Sequence, residues 1–350
     1  MPLFNELSSR SAPLPESSIL TENDVPTGKG VPYIFDPAID AAVDVAIGLG
    51  KPLLVAGEPG SGKTELGYAV ARRMDIRTLY FFSVKSSSEA GDLFYTYDAI
   101  RRFREAQLAA IRAQTSKDSD VAFQEPEVGD FIKYRALGRA ILDAHLKKNV
   151  KPLLRGKSPP ALPKNPRRSV VVIDEIDKAP RDFTNDLLRE IEDISFRVPE
   201  LQSEGVSDAT PSGSKIPASL RPIIVITSNE ESQLPDAFLR RCVFLALEFP
   251  DDTRLRSILN EHFRVEDGGK DPLGEDRDIL LKIFSNLRGQ NMQKNPGIAE
   301  LVDAGRVLAA RPAETPREQW LPRLAPALVK LKADLPAFQI ALRNLPPRPA

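Results

Sequence analysis

Three apolar runs with little polar alternation mark the first two thirds of the chain. They are Leu53–Gly57, Val170–Ile173 and Ile223–Ile226, and the last two consist entirely of valine and isoleucine. Such runs are typical of strands in a parallel sheet, because both faces of that sheet are covered. Shorter runs predict further strands at Thr78–Ser83 and Val243–Leu247. Helical patterns separate these strands, so we predict an α/β sandwich with a parallel sheet.

The helical patterns come from apolar residues that recur every three or four positions. Ile39, Val43 and Ile47 predict one helix, and a second is expected to begin near Lys63. We predict a further helix over Phe131–Lys148. These helices are expected to cover the faces of the sheet.

Changes in composition divide the chain into four parts. Residues 1–30 are rich in Ser, Pro and Glu and show no sustained period, which predicts a flexible N-terminal arm. Residues 31–250 carry the α/β pattern. Strand signals then vanish and leucine-rich helical patterns follow, so we predict a smaller all-helical domain at 251–335. Residues 336–350 are predicted to form a C-terminal tail, with frayed last residues that include Pro346, Pro347 and Pro349.

A glycine-rich loop lies between the first predicted strand and the helix near Lys63. It reads Gly57, Glu58, Pro59, Gly60, Ser61, Gly62, Lys63 and Thr64. Glycine lets successive backbone N–H groups converge on phosphate oxygens, and the N-terminus of the following helix attracts the same anions. Lys63 can supply a charge to the outer phosphates, and the Thr64 hydroxyl can ligate Mg²⁺. The loop and the adjacent Glu65 therefore predict a nucleoside triphosphate site rather than an ordinary glycine turn.

Two carboxylates follow the second apolar run, at the predicted carboxyl edge of the sheet. Ligands bind at that edge in open α/β sheets. Asp174 is placed to hold Mg²⁺ through water, and Glu175 to orient and polarise an attacking water. The alternative is an acid pair that caps the next helix. The phosphate loop upstream favours the catalytic interpretation.

Further polar residues follow the third apolar run. Asn229 comes directly after a strand and could position the lytic water, although Asn is also common in turns that end strands. Arg240 and Arg241 end a short predicted helix. A guanidinium can stabilise the charge on a transferring phosphoryl group, whereas paired arginines at a helix end are often only solvated.

In this order, the motifs resemble those of AAA+ ATPases, and within them the MoxR-like branch. Gly57–Thr64 corresponds to Walker A, Val170–Glu175 to Walker B, Asn229 to sensor 1 and Leu234–Arg241 to the arginine-finger segment. The similarity covers residues 31–310. It implies a P-loop NTPase three-layer sandwich with a parallel sheet, followed by a smaller all-helical lid domain.

The resemblance also implies roles for single residues and segments. Arg241 is the expected arginine finger, and Arg240 is a second candidate. Lys294 resembles the basic sensor 2 residue of some relatives. Asp92–Ile100 occupies the place of the helix 2 insert of the branch, and Ser195–Arg221 that of the hairpin before sensor 1.

The resemblance implies ATP and Mg²⁺ as ligands and a ring, expected to be a hexamer. The leading hypothesis is ATP hydrolysis that remodels or activates a protein partner, with a von Willebrand factor A domain protein as the expected partner. Two alternatives share the same nucleotide site: a DNA-associated motor subunit and a slowly hydrolysing, nucleotide-gated scaffold. The aromatic segment Phe94–Tyr97 could contact a client in a ring pore or pack against its own domain.

The net charge of the whole chain does not indicate a nucleic-acid partner. The 350 residues include 48 basic and 49 acidic side chains, for a formal net charge of −1. Lys151–Arg168 is an exception, with five prolines, six basic residues and no acid. We interpret it as a proline-stiffened linker in preference to an anion-binding patch.

Cysteine content and hydropathy exclude several other classes of protein. Cys242 is the only cysteine, which excludes an intramolecular disulfide and a cysteine-based zinc cluster. No apolar run approaches the roughly 20 residues that a membrane helix needs. The N-terminus lacks the pattern of a secretory signal, so we expect a cytoplasmic protein.

Overall fold

A computed structural model describes residues 33–115, 125–157, 159–202, 216–263 and 271–345. Within these ranges the chain forms two compact units. The larger unit contains residues 37–56 and 67–245, and the smaller contains 33–36, 57–66 and 246–345. The predicted arm at 1–30 and the last residues of the predicted tail lie outside the described ranges. The predicted domain limits stay predictions.

The strands in the described residues are short. In chain order they are β1 Leu53–Ala56, β2 Leu79–Ser83, β3 Tyr95–Tyr97, β4 Ile132–Tyr134, β5 Val170–Asp174, β6 Ile223–Ser228 and β7 Val243–Ala246. Five of them form one sheet in the order β2-β5-β6-β1-β7. The β2–β5, β5–β6 and β6–β1 pairs are parallel, with Val170 opposite Leu79 and Ile223, and Leu53 opposite Val225.

Helices surround this sheet and make up the C-terminal region. The first eight are α1 Pro37–Leu49, α2 Lys63–Arg73, α3 Ala99–Thr115, α4 Ala136–Asp143, α5 Lys147–Val150, α6 Arg181–Asp193, α7 Pro199–Gln202 and α8 Asp236–Leu239. The others are α9 Asp252–His262, α10 Asp276–Arg288, α11 Ile298–Ala309, α12 Arg317–Trp320, α13 Ala325–Leu328 and α14 Leu335–Arg343. The predicted fold class is confirmed: a parallel α/β sheet with flanking helices, followed by a helical region. Along the described ranges, no helix is long and apolar enough to cross a membrane.

The core of the larger unit explains why the valine and isoleucine runs form central strands. Residues Val170 to Ile173 are completely buried, as expected for strands covered on both faces. Phe183, Leu187 and Ile191 of α6 belong to the same apolar cluster. Their spacing of four residues gives α6 one buried stripe against the core.

The prediction of one helix over Phe131–Lys148 was wrong. Ile132–Tyr134 instead forms strand β4, which pairs antiparallel with β3, and the helix that follows ends at Asp143. The apolar residues at 131–142 fit a helix period, but Ile132 and Tyr134 also suit a strand. Pairing with β3, which is distant in sequence, decides between the two.

The smaller unit has its own apolar core among the C-terminal helices. Leu259, Phe284, Leu287, Leu301 and Leu324 are fully buried within it. Leucines at helical spacing therefore build a second hydrophobic cluster, as the sequence pattern after residue 250 predicts.

Candidate functional site

The glycine-rich loop follows β1 without an intervening residue and leads into α2. Gly60 and Gly62 have φ angles of 78° and 92°, which side chains other than glycine rarely adopt. Helix α2 begins at Lys63, as predicted, and its first turn presents backbone N–H groups at the end of the loop. This geometry is that of an anion-binding loop at a helix N-terminus.

Two buried polar side chains face the interior of this loop. Lys63 is only 6% exposed, and its Nζ donates hydrogen bonds to the carbonyl oxygens of Gly57 at 2.8 Å and Glu58 at 2.7 Å. Ser61 is 4% exposed, and its Oγ has no hydrogen-bond partner among the described residues. A buried hydroxyl without a partner costs free energy, which a bound phosphate oxygen could offset. These residues therefore fit a phosphate ligand.

The loop is packed against the start of α11 inside the smaller unit. The N–H of Ile298 donates to the carbonyl of Gly60 at 3.0 Å. A Cβ built on Gly60 would lie 2.9 Å from the Cα of Gly297. The two backbones thus touch, and neither glycine can take a larger side chain without a shift of the chain.

Arg288, at the end of α10, makes a further contact with the loop that sequence reasoning missed. Its guanidinium donates to the Glu58 carboxylate at 2.7 Å and to the carbonyl of Pro296 at 2.9 Å. The same group lies 3.4 Å from the centroid of the Phe249 ring. A guanidinium stacked on a ring and bonded on two sides is held in one position.

Tyr33 supplies an aromatic ring beside the loop. A Cβ on Gly62 would lie 3.6 Å from its ring and 3.9 Å from Ile298. Burial raises the pKa of the Tyr33 hydroxyl, and Arg254 opposes that rise. The hydroxyl therefore stays neutral at physiological pH, and the ring is a candidate surface for a nucleotide base.

Lys294 is exposed, and its side chain makes no hydrogen bond in the described part of the chain. Its backbone N–H donates to the Asp334 carboxylate at 3.2 Å, and that of Gln293 donates to the same group at 2.9 Å. The buried Asp334 therefore fixes the backbone before α11. The sensor 2 role of Lys294 stays a prediction.

In the larger unit, Thr227 joins the two predicted catalytic carboxylates. Its hydroxyl donates to Asp174 Oδ1 at 2.7 Å and accepts from the backbone N–H of Glu175 at 2.9 Å. Thr227 is 1% exposed and lies on β6, next to β5. Sequence reasoning assigned no role to this threonine. It ties the ends of two central strands together at the carboxyl edge of the sheet.

Glu175 has an unusual backbone and a crowded carboxylate. Its φ is 59°, a left-handed conformation that costs free energy for a residue with a side chain. One carboxylate oxygen accepts from Lys178 Nζ at 2.6 Å, and the other lies 3.4 Å from Asn229 Nδ2. The Glu175 carboxylate raises the pKa of Lys178, so this lysine is charged at physiological pH. Asn229 and Glu175 are thus brought together, as their predicted roles require.

Asp177 positions the turn that carries Asn229. Its carboxylate, which is 5% exposed, accepts hydrogen bonds from the backbone N–H groups of Asn229 and Glu231, each at 3.1 Å. Hydrogen bonds to a buried carboxylate are stronger than those between neutral groups. The segment after β5 therefore fixes the turn after β6, which sequence reasoning did not foresee.

The two arginines of the predicted finger segment have different surroundings. Arg241 donates to the Glu192 carboxylate and to the carbonyl of Ala237, both at 3.1 Å. Arg240 is exposed, and within the described ranges its side chain contacts no acid. Its backbone carbonyl accepts from Lys51 Nζ at 3.2 Å, and its backbone N–H donates to the carbonyl of Asp236 at 3.1 Å. Arg240 is the one whose guanidinium is available to another chain.

The described residues of the basic segment Lys151–Arg168 are irregular after a single turn at its start, as predicted for a linker. Arg167 donates to the buried Asp143 at 2.7 and 2.9 Å, and Asp143 also accepts from Tyr80 at 2.8 Å. Arg168 donates to the carbonyl of Arg221 at 2.9 Å. Both terminal arginines of the segment therefore serve the fold.

The aromatic segment at 94–97 packs against its own unit. Phe94 is 4% exposed and stacks on Phe196 with ring centroids 5.4 Å apart. Tyr95 lies 6.5 Å from the same ring, and its hydroxyl donates to Glu200 at 2.8 Å. Of the two predicted interpretations, the geometry favours packing for Phe94 and Tyr95.

A parallel α/β sheet with a glycine-rich anion-binding loop after its first strand defines a P-loop nucleotide-binding protein. Residues 52–242 match the AAA domain family of the dynein-related subfamily. The match covers more than half of the chain, which therefore belongs to this family of AAA+ proteins. No curated protein matches the sequence significantly.

Solved structures with a similar fold include the RuvB Holliday junction branch migration motor of Thermotoga maritima. It is 14% identical with a TM-score of 0.37, and the alignment covers 86% of this chain and 66% of that one. A variant of the same protein is 16% identical with a TM-score of 0.39, over 87% and 67% of the two chains. The chain thus spans about two thirds of the length of these structures. A likeness at this level carries no inference about function.

Proposed function

We propose that this protein is a Mg²⁺-dependent ATPase that forms a ring and remodels or activates a protein partner, as MoxR-like AAA+ proteins do. The observation that carries the proposal is the phosphate loop, with the buried Lys63 and the unpartnered Ser61 hydroxyl. Membership of the AAA domain family supports the same conclusion. The von Willebrand factor A domain partner and the hexamer rest on the resemblance to the MoxR-like branch.

The loop would bind the triphosphate of ATP through backbone N–H groups, Ser61 and Lys63. Thr64 and Asp174 are the residues that would hold Mg²⁺, which neutralises phosphate charge when bound. The Tyr33 ring would contact the base. Arg288 would link the loop to the helical region through Glu58.

Glu175 would accept the proton of the attacking water, and Asn229 would hold the Glu175 carboxylate. The Lys178 ammonium competes with that water for the same carboxylate. The carboxylate oxygen that Lys178 occupies cannot bind the water, so release of Glu175 from Lys178 would precede catalysis. Lys178→Met should therefore raise basal turnover, provided that ATP binding is unchanged.

We assign the arginine finger to Arg240 rather than Arg241. Arg241 is held by Glu192 and by the carbonyl of Ala237, whereas the more exposed Arg240 side chain has no partner among the described residues and would reach another chain at less cost. Mixing experiments test this assignment. Arg240→Ala and Glu175→Gln should each be inactive alone, and a mixture of the two should regain turnover. A mixed interface in one of its two orientations then combines the intact glutamate of one chain with the intact arginine of the other.

Turnover per chain, measured over a range of protein concentrations, tests the function itself. A rate that rises steeply and then levels is expected if assembly completes the active site. Glu175→Gln should retain a fluorescent ATP analogue but lose hydrolysis. Lys63→Ala should weaken analogue binding by about 10- to 100-fold, because a charge-assisted bond is worth about 1.5–3 kcal/mol. Unchanged turnover in Glu175→Gln would remove the proposed role of that residue.

The two alternatives give different results in the same assays. A DNA-associated motor predicts salt-sensitive DNA binding and stimulation of hydrolysis by DNA. The engagement of Arg167 and Arg168 within the fold weighs against this alternative. A nucleotide-gated scaffold predicts assembly on ATP with very slow turnover, and the Lys178–Glu175 pair is compatible with such slow hydrolysis.

A further inference from the structure

The larger unit contains a cleft away from the predicted catalytic residues. Its volume is about 820 Å³, and its walls are α6 and the segments at 88–95 and 195–199. Carboxylates dominate the walls. Five acids, Glu89, Asp182, Asp186, Glu190 and Asp193, line the cleft together with two basic residues, Arg189 and Arg197. The lining therefore carries an excess of negative charge.

Three of the acids form a stripe along α6. Asp182, Asp186 and Glu190 are four residues apart, and each directly precedes a residue of the buried apolar stripe of this helix. Like charges at this spacing destabilise a helix by about 0.2–0.5 kcal/mol per pair. In the described part of the chain no basic side chain pairs with any of the three. Folding alone does not explain this arrangement.

The position of Glu190 near the C-terminus of α6 is also unfavourable, whereas Asp182, in the first turn, lies at the favourable end of the helix. The last turn of the helix contains no basic residue, although its C-terminus carries the negative end of the dipole. Basic partners offset the charges of two other acids in this turn: Glu192 pairs with Arg241, and Asp193 lies 3.7 Å from Arg189. The charge of Glu190 has no such basic partner among the described residues. Its Oε2 is buried and has no hydrogen-bond partner among the residues described.

Aromatic side chains also line the cleft, among them Phe94, Tyr95 and Phe196. Phe196 stacks on Phe94 and meets Tyr134 edge-on, with ring centroids 6.0 Å apart. The chain reaches Phe196 through Ile194, whose φ of 48° is strained for a β-branched residue. The lining therefore combines aromatic rings with carboxylates.

We propose that this cleft binds a basic segment of a protein partner, with its Lys or Arg side chains on the acidic stripe of α6. The stripe from Asp182 to Glu190 is about 12 Å long, which matches about four residues of an extended peptide. A metal ion fits less well, since no group of three or more His, Cys, Asp or Glu residues in the described ranges could hold one. The inference is independent of the proposed ATPase activity.

Fluorescence anisotropy of a labelled hexa-arginine peptide with the full chain, without nucleotide, tests the proposal. We expect saturable binding that weakens as salt rises. The triple variant Asp182→Asn, Asp186→Asn, Glu190→Gln should weaken it about tenfold or more, as expected when three charge pairs are lost. The matched control Asp303→Asn, Glu314→Gln, Glu318→Gln removes three exposed carboxylates elsewhere and should bind as the unchanged protein does.

Two further measurements keep the result interpretable. The triple variant should melt no lower than the unchanged protein, because it removes like-charge pairs from α6. If it does melt lower, the double variant Asp182→Asn, Asp186→Asn, whose sites are exposed, replaces it. Equal peptide binding by the acidic-stripe variant and the control would overturn the proposal. The proposal would also be overturned if the acidic-stripe variant lost self-association but bound the peptide as before. The cleft would then hold a second copy of the chain.

Discussion

Thr227→Val should loosen the catalytic carboxylates without changing the shape of the core. Valine has nearly the volume of threonine but cannot donate to Asp174 or accept from the Glu175 N–H. Thr227 is almost completely buried, so water cannot easily replace its hydroxyl. The strained backbone of Glu175 then loses the hydrogen bond that fixes it.

The cost of this change can be worked from the two hydrogen bonds. A buried N–H without a partner costs about 1–3 kcal/mol, and a lost bond to a carboxylate about 1.5–3 kcal/mol. Asp174 is half-buried and can regain part of the second amount from water. We therefore expect a total of about 2–4 kcal/mol, a large part of a typical stability of about 5–15 kcal/mol.

Thermal unfolding followed by circular dichroism measures the effect on stability. Thr227→Val should lower the melting temperature by about 4–16 °C, at about 2–4 °C per kcal/mol. The control Thr227→Ser keeps the hydroxyl and loses one methyl group, worth about 0.8 kcal/mol. It should melt within a few degrees of the unchanged protein. If the two variants melt at the same temperature, the bridge does not stabilise the fold.

Turnover separates positioning from stability. A misplacement of about 1 Å in a catalytic group can cost about 100-fold in rate, so Thr227→Val should lose turnover below its melting temperature. Thr227→Ser should keep most of it. ATP binding should change little in either variant, because the threonine lies on β6 and not in the phosphate loop. Full activity in Thr227→Val would refute the idea that the hydroxyl holds Glu175 in place.

Three other predictions each depend on the local environment of one residue. Gly60→Ala should weaken binding of an ATP analogue at least about tenfold, because its φ of 78° disfavours a side chain, whereas Gly48→Ala, with open space at its Cβ, should not. Burial raises the pKa of the Cys242 thiol to about 12, so thiol reagents should modify it rapidly only after unfolding. Burial, and secondarily Arg306, lowers the pKa of His262 in the folded protein; stability should therefore fall as pH drops below about 6.5, where the unfolded chain binds the proton. Replacement of His262 by Gln should flatten that fall in melting temperature.

Local sequence signals were sufficient for the main features of the fold and for the phosphate loop. The runs at 170–173 and 223–226 are neighbouring parallel strands, as expected for apolar runs that are covered on both faces. Their ends brought Asp174, Glu175 and Asn229 to one edge, as the order of strands requires. The pairing of β3 with β4 could not be predicted, because it depends on a contact between distant segments.

The residues that position the catalytic and phosphate-binding groups could not be predicted from the sequence, for a different reason. Lys178 and Asp177 belong to an ordinary polar stretch, and nothing in their spacing tells which backbone groups or carboxylates they will meet. Arg288 lies 230 positions from Glu58. Charge contacts of this kind depend on the folded path of the chain, whereas a glycine loop or a valine run carries its geometry in consecutive residues.

Residues with a strained backbone or an unsatisfied buried polar group lie at the proposed functional sites. Glu175 takes a left-handed backbone beside its partners Thr227 and Lys178, and the Ser61 hydroxyl is buried without a partner in the described phosphate loop. The features around α6 are of the same kind: a strained Ile194 and acids at the negative end of the helix. Stability is typically lost at functional sites and recovered elsewhere. By this reasoning α6 serves more than the core it covers, since its buried stripe would pack equally well beneath a neutral or basic outer face.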